Sequence, residues 1–366
     1  MSPVAPPAEP DAAARSFGAG GPASATLDVV ALGSALVDVL SHAADDDLER
    51  LELAKGSMAL VDLRRAASIY RAMGPGTEVS GGSAANTAAG VAALGGSSGY
   101  LGKVAADELG EVFLHDLAAC GVVLGRMRPA PADESVEDGA TGRCLVLVTP
   151  DGERTMATHL GVASTLGPDD IDESLVARTE ILYVEGYMWD LGPAKAAIRR
   201  AVELAHSVDA LVALSLSDPF CVRRHQREFL GLLHGEVDVL FANEEEVRLL
   251  FGSPDFDAAV AACEETGVLS ALTRGSAGSV VVAAEGVAAV AAEPVGAVVD
   301  TTGAGDLYAA GFLFGLTHGQ APLSCARLGG LCAAEVISHL GARPQGDLRR
   351  LAADAGLAAV PEADRG

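Results

Sequence analysis

A glycine-rich turn that ends in a carboxylate stands near the end of the sequence, at Asp300-Thr301-Thr302-Gly303-Ala304-Gly305-Asp306. Valines precede this turn and the apolar helical pattern of residues 307–313 follows it, which places residues 303–306 at a helix N-terminus. The free N–H groups and the positive dipole end at such a position bind anions. Asp306 is therefore a candidate general base beside an anion site, although a first-turn carboxylate also stabilises a helix without any chemistry.

A second glycine turn, Ser80-Gly81-Gly82-Ser83, leads into a helix of small residues that carries Asn86. Gly81 and Gly82 let a ligand contact the bare backbone, and the Asn86 amide can donate and accept hydrogen bonds. Asp38, shortly after the first predicted strand, is a candidate for binding two neighbouring hydroxyls of a sugar. The alternatives are a tight turn with a closely packed helix, and an ordinary solvated acid.

Oxygen and amide groups also follow two later strands. Asn243 and Glu246 come directly after the predicted strand 237–242, at the strand end where α/β folds bind ligands. Such groups can hold a hydrated Mg²⁺ through its waters. The run 273–278 lies between two predicted strands and is either a ligand-facing loop or a simple turn.

Strands and helices alternate along most of the chain, which predicts the elements that position these residues. Continuous apolar runs indicate strands buried on both faces, so we expect an α/β fold with a doubly wound, mainly parallel sheet flanked by helices. The predicted strands are residues 28–33, 99–104, 180–185, 211–216, 237–242, 269–273 and 279–284. The predicted helices between them include residues 107–119, 193–206 and 222–234.

Two segments, residues 36–62 and 142–160, interrupt this alternation. The second segment predicts two strands around the turn at 150–153. The first segment contains the acidic run Asp45-Asp46-Asp47. We expect the extended pieces of both segments to pair into a small β lid over the main domain; a hairpin at the edge of the main sheet is the alternative. The main domain is predicted over residues 27–350, with a disordered extension at 1–26 and a tail at 351–366.

The formal charge of −25 over 366 residues disfavours binding to nucleic acids or anionic membranes. No apolar stretch is long enough to span a bilayer. The six cysteines form no C-x-x-C pair and are predicted to be buried free thiols in a reducing compartment, so we expect a cytoplasmic protein. Oligomeric state is predicted only as monomer or homodimer.

Several familiar site patterns are missing from the sequence. It contains no Walker-type loop, no G-x-G-x-x-G after the first strand and no Cys/His zinc grouping. An anionic ligand must therefore be bound by other means.

The order Gly-Gly-x-x-x-Asn, Asn-x-x-Glu and Asp-Thr-x-Gly-Ala-Gly-Asp resembles the ribokinase-like (pfkB) family of carbohydrate and nucleoside kinases, over roughly residues 28–345. Within that family the chain is most similar to the adenosine kinase branch, in the segments 183–187, 214–220 and 243–252. The resemblance implies phosphoryl transfer from ATP with Mg²⁺ to a nucleoside 5′-hydroxyl, most of all conversion of adenosine to AMP in purine salvage.

The resemblance also implies a role for each matching position. Asp306 would be the general base, and Gly303, Ala304 and Gly305 would form the anion hole. Asp38, Gly81, Gly82 and Asn86 would bind the ribose; Asn243 and Glu246 would organise the waters of Mg²⁺. The ATP site would include Thr273, Arg274, Gly275 and Gly278, and a monovalent cation such as K⁺ would bind near Asp300 and Thr302.

The sequence departs from the adenosine kinase pattern at Ser34, where Asn is frequent, so one ribose or base contact differs. Tyr187 is the candidate for stacking on the base, with Met58 of the lid as its apolar partner. A sugar kinase of the same family, acting on ribose or a related sugar, remains an alternative. A catalytically silent nucleoside-binding protein is another.

Overall fold

The computed structural model describes residues 27–127, 129, 139–151 and 153–358. The strands are β1 Leu27–Leu32, β2 Leu36–His42, β3 Met58–Leu60, β4 Thr77–Gly81, β5 Ser98–Leu101, β6 Val123–Leu124, β7 Gly142–Val148, β8 Arg154–His159, β9 Thr179–Glu185, β10 Leu211–Ser215, β11 Val239–Asn243, β12 Leu269–Thr273, β13 Ser279–Ala283 and β14 Gly286–Val290. The helices are α1 Asp45–Arg50, α2 Leu63–Ala72, α3 Ser83–Leu94, α4 Glu108–Ala119, α5 Glu173–Val176, α6 Gly192–Ser207, α7 Pro219–Leu232, α8 Glu244–Phe251, α9 Phe256–Thr266, α10 Ala304–Thr317, α11 Pro322–Val336 and α12 Leu348–Asp354.

The large sheet has the order β14-β13-β12-β11-β10-β9-β1-β5-β6. Its strands run parallel from β6 to β12, and β13 and β14 extend it in antiparallel fashion. Alternation along β1 explains why helices cover both faces: Val30 and Leu32 pack with α5 to α9, whereas Val29 and Ala31 pack with α3, α4 and α10 to α12. This is the doubly wound α/β fold that the sequence predicts.

A second sheet has the order β3-β8-β7-β2-β4. Its residues also alternate: Val39 and Leu145 pack on α1 and α2, while Asp38, Cys144 and Met156 face a large cavity on the opposite side. The hairpin predicted at 142–160 is β7 and β8, paired antiparallel, with Gly152 of its turn outside the described residues. This small sheet corresponds to the predicted lid.

The structure corrects several details. The predicted lid segment 36–62 also contains a helix, α1, which starts at the acidic run 45–47 because carboxylates in a first turn suit the helix dipole. Strand β4, whose last residue is Gly81, was not predicted, because its polar residues hide the strand pattern. Cys120 is exposed, while the other cysteines are buried free thiols as predicted.

The C-terminal boundary of the main domain differs from the predicted one. The boundary at residue 350 falls inside α12, where Leu348 and Ala352 are buried against the main core, so part of the predicted tail belongs to the domain. The extension predicted at 1–26 and residues 359–366 lie outside the described residues. No helix in the described ranges combines the length and apolar character needed to cross a bilayer.

Helices α10 and α11 approach closely at Gly311, where an added Cβ would lie 2.7 Å from the Leu328 carbonyl oxygen and 2.8 Å from the Gly329 Cα. We expect Gly311→Ala to lower the free energy of unfolding by about 1–3 kcal/mol, because overpacking forces the helices apart. Gly231→Ala in α7 is the matched control, since nothing lies within 4 Å of its added methyl. The control should gain about 0.5–1 kcal/mol from helix propensity.

Urea unfolding of both variants measures the difference. Equal stability of Gly311→Ala and the unmutated protein would contradict the close packing of α10 on α11.

Candidate active site

The cavity, of about 980 Å³, lies at the carboxyl ends of the large sheet and is covered by the inner face of the small sheet. Ligand sites of open α/β folds occur at this edge. Four lining residues are the last residues of parallel strands, namely Glu185 of β9, Ser215 of β10, Asn243 of β11 and Thr273 of β12.

Asp306 lies in the first turn of α10, after Gly303, which has a left-handed φ of 72°. A side chain at Gly303 would also approach the backbone of Ala342 to 2.9 Å, so the turn requires glycine. The Asp306 carboxylate accepts hydrogen bonds from Ser83 Oγ at 2.6 Å and Asn86 Nδ2 at 2.8 Å. Because Ser83 begins α3, the N-termini of two helices meet at this carboxylate.

Burial raises the pKa of Asp306 above its ordinary value, while the hydrogen bonds from Ser83 and Asn86 and the nearby Arg343 counteract the rise. A carboxylate with a raised pKa is a stronger proton acceptor. Gly303, Ala304 and Gly305 line the cavity beside it, at the positive end of the α10 dipole. The arrangement combines a base with an anion-binding helix start.

Asp38 projects from β2 into the same cavity. Gly81 on the neighbouring strand leaves room for it, since an added Cβ there would lie 2.3 Å from the Asp38 carboxyl carbon. Burial raises the pKa of Asp38 to about 6 against the opposing charges of Arg154 and Arg343. Asp38 lies on a strand inside the cavity and is thus no solvated loop acid.

Asn86 lies in the first turn of α3 and lines the cavity, where the sequence suggests it. Its Nδ2 is used on Asp306, and its buried Oδ1 has no hydrogen-bond partner among the described residues. Since a buried acceptor without a donor is costly, this oxygen is a candidate to accept a hydrogen bond from a bound hydroxyl. Ser34 and Gly82 line the cavity next to Asn86.

Asp300 anchors the turn before α10. Its Oδ1 accepts hydrogen bonds from the Thr302 amide and hydroxyl, and its Oδ2 accepts one from the Gly341 amide. Arg154 Nε on lid strand β8 lies 2.9 Å from Oδ1 in an ion pair. These contacts and the charge of Arg154 lower the pKa of Asp300 despite its burial. One lone pair on Oδ2 is compatible with a bound monovalent cation.

The Arg154 side chain is only 9% exposed and lines the cavity, and its Nη2 has no hydrogen-bond partner among the described residues. It thus brings a positive charge from the lid to the anion-binding turn. Sequence reasoning missed Arg154, because nothing in the local pattern of a hairpin strand shows what its side chain will face.

Asn243 and Glu246 hold each other in a capping box at the start of α8. Glu246 Oε2 accepts from the Asn243 amide at 2.9 Å, and Oε1 accepts from Asn243 Nδ2 at 2.8 Å. Burial raises the pKa of Glu246 to about 7. Both residues line the cavity, and their remaining oxygen lone pairs fit a Mg²⁺ ion bound through water.

The predicted loop 273–278 lies only partly at the cavity. Thr273 lines it, whereas Arg274 pairs with Glu244 at 3.0 Å and its guanidinium lies 4.3 Å from the centre of the Phe256 ring. Gly275 and Gly278 have positive φ angles and shape the turn, and neither is among the lining residues. The structure therefore does not bring Arg274 to the site.

Apolar and aromatic side chains also line much of the cavity. Tyr187 and Met58 both line it, as the sequence suggests. They are joined there by side chains that sequence reasoning did not select, namely Leu36, Leu60, Met156, Leu160 and Phe220. This composition suits a flat apolar group.

Three further residues at the site were missed. Ser83 follows Gly82 in the predicted turn, and Glu185 ends a predicted apolar strand. The positions of both residues in the sequence could therefore have identified them as site candidates. Arg343, whose guanidinium donates to the carbonyl oxygens of Ser80 and Ala85, lies in a loop with no such signal.

Asp190, Cys221 and His225 place one ligand atom each within 4.8 Å of one another. Arg224 donates two hydrogen bonds to Asp190, His225 Nε2 lies 2.8 Å from Asp190, and burial raises the pKa of Cys221 to about 12. Because these groups are already paired or protonated, the cluster does not favour a metal ion.

A model of the pfkB family of carbohydrate kinases matches residues 60–347. A solved structure of adenosine kinase from Sinorhizobium meliloti is 45% identical and superposes with a TM-score of 0.85, covering 90% of this chain and 100% of that one. A probable sugar kinase from Rhizobium etli CFN 42 is 42% identical with a TM-score of 0.86, covering 91% and 99%. The adenosine kinase of Saccharomyces cerevisiae is 28% identical over 340 residues, 86% of this chain and 96% of that protein.

Sulfate binding tests whether Arg154 contributes to the anion-binding turn. Arg154→Met should weaken sulfate binding by roughly tenfold, the scale for losing one charge-assisted hydrogen bond. Arg223→Met is the control, because Arg223 pairs with Glu245 outside the cavity. Isothermal titration measures both affinities, and the same sulfate affinity in the two variants would contradict the placement of Arg154.

Proposed function

The chain belongs to the pfkB carbohydrate kinase family and is an ATP-dependent phosphotransferase, and we propose that its acceptor is the 5′-hydroxyl of a nucleoside, above all adenosine. The observation that carries this proposal is a cavity lined by both carboxylate groups and apolar side chains. The first suit a ribose and the second a purine base.

The proposed chemistry centres on Asp306. Its carboxylate takes the proton of the 5′-hydroxyl, whose oxygen forms a bond to the γ-phosphorus while the bond to the departing ADP oxygen breaks. The amides at residues 303–305 and the Arg154 guanidinium stabilise the charge on the transferred group. Mg²⁺, with its waters held by Asn243 and Glu246, would neutralise phosphate charge in this role.

The charges at the acceptor end favour a neutral acceptor. Asp38, Glu185 and Asp306 line this end, and a sugar that already carries a phosphate would be repelled by them. Asp38 and the free Asn86 Oδ1 are proposed to bind ribose hydroxyls. A nucleoside brings no added charge, so it meets this condition.

The apolar side chains of the cavity distinguish a nucleoside from a free sugar. Ribose alone would leave the side chains of Tyr187, Met58 and Leu60 without contacts to the ligand, whereas a purine would pack against them. A sugar kinase remains the second candidate, because the Rhizobium etli relative is described as a probable sugar kinase. The hydroxyl-binding residues would serve either substrate.

A substrate panel with ATP and Mg²⁺ separates these candidates. We expect kcat/KM for adenosine to exceed that for ribose and fructose 6-phosphate by about 100-fold or more, since the base adds apolar contacts worth several kcal/mol. The reverse order would overturn the nucleoside assignment, and no ATP consumption with any acceptor would favour a silent binding protein.

The same panel tests the monovalent cation proposed near Asp300 and Thr302. Replacing K⁺ by tetramethylammonium, which is too large for such a site, should lower turnover with adenosine. An identical rate in both salts would contradict a functional cation there.

Asp306→Asn should reduce kcat by about 100-fold or more, the scale for losing a general base. Affinity for an unreactive ATP analogue should stay nearly unchanged, and this affinity is the control for folding. In the unmutated enzyme, kcat should fall as the pH falls through the raised pKa of Asp306, because the protonated carboxyl cannot accept the hydroxyl proton. Turnover retained in Asp306→Asn would show that Asp306 only stabilises the start of α10 and is not the general base.

A further inference from the structure

Glu185 is a buried acid at the centre of the site with no assigned task. It ends β9, between β1 and β10, and is 1% exposed. Its Oε1 accepts a hydrogen bond from the Ser34 amide at 2.7 Å, and its Oε2 accepts one from the Ala84 amide at 3.0 Å. One carboxylate thus binds backbone from two segments that are distant in sequence.

These two segments are the glycine turns of the acceptor end. The first, at Gly33 and Ser34, is also fixed by a hydrogen bond from the Tyr100 hydroxyl to the Gly33 carbonyl oxygen at 2.9 Å. The turns touch directly, because an added Cβ on Gly82 would lie 2.4 Å from the Ser34 carbonyl oxygen. Small movements of either turn are therefore transmitted to the other.

Each turn leads into an element that carries side chains of the site. The Gly33 turn leads into β2 and Asp38, while α3 begins at Ser83 and presents Ser83 and Asn86 to Asp306. The distance between the hydroxyl-binding carboxylate and the base consequently depends on how the two turns are held together.

We propose that Glu185 is a positioning residue that fixes Asp38 relative to Asp306 by binding the two glycine turns, without itself contacting the acceptor. This role rests on the proposed function. The ionised form suits this role best, since protonation turns one of the two accepting oxygens into an O–H donor and a weaker acceptor.

The surroundings of Glu185 make this ionised form sensitive to pH. Burial raises the pKa of Glu185 to about 7, against the hydrogen bonds from Ser34 and Ala84, and the Asp306 charge raises it further. The other titratable groups that sense Glu185 are Tyr100 and Tyr187, whose pKa values are raised far above the working range and which stay neutral. Below about pH 7 the hydrogen bonds from the Ser34 and Ala84 amides to Glu185 should therefore weaken.

Glu185→Gln tests the role, because the amide nitrogen donates and leaves one of the two backbone N–H groups without an acceptor. We expect kcat/KM for adenosine to fall roughly 10- to 100-fold from misplacement of the acceptor, with KM for ATP changed less than about twofold. Glu228→Gln is the matched control, since Glu228 binds Lys195 and Trp189 outside the cavity and should change neither value.

The pH dependence of kcat/KM distinguishes the positioning role from a purely structural one. In the unmutated enzyme, kcat/KM for adenosine at saturating ATP should decline below about pH 7, and in Glu185→Gln this decline should shift to lower pH. The shift is expected because Glu185 no longer titrates and Asp306 loses a neighbouring negative charge.

The outcomes separate the two proposals. An active enzyme whose Glu185→Gln variant keeps its kcat/KM and its pH profile would overturn the positioning role and leave the kinase proposal intact. If the variant does not fold, a flat profile between pH 6 and 8 in the unmutated enzyme overturns the role. An enzyme that consumes no ATP with any acceptor would refute both.

Discussion

The site depends on one buried carboxylate held between two helix N-termini. Asp306 opens α10, and Ser83 and Asn86 of α3 donate to its two oxygens. The dipoles of both helices favour the negative charge there, while burial opposes it. A raised pKa makes the Asp306 carboxylate a better proton acceptor, which suits the general-base role proposed for it.

We propose that a protein with a net charge of −25 binds an anionic nucleotide at this site through local features. The start of α10 supplies backbone amides, and Arg154 supplies a positive charge from the lid through its ion pair with Asp300. The lid strand and the anion-binding turn are therefore linked by one salt bridge. Met58 and Met156 of the same sheet also line the cavity, so we propose that this sheet contributes both to phosphate binding and to acceptor selection.

Much of this was predictable from the sequence, because glycine turns before helices and apolar strands leave strong local signals. These signals located Asp306, Asp38 and the α/β fold. Arg154 and Arg343 were not predictable, since each reaches the site through tertiary contacts that no local pattern records. Arg274 illustrates the opposite error: its place in a loop suggested a ligand contact, but Glu244 and Phe256 offer it nearer partners.

A crystal structure with adenosine and an unreactive ATP analogue tests the central claim most directly. The account predicts the 5′-oxygen within hydrogen-bond distance of an Asp306 oxygen, and the γ-phosphate against the amides of residues 303–305. An acceptor hydroxyl far from Asp306, or a γ-phosphate bound elsewhere in the cavity, would contradict it.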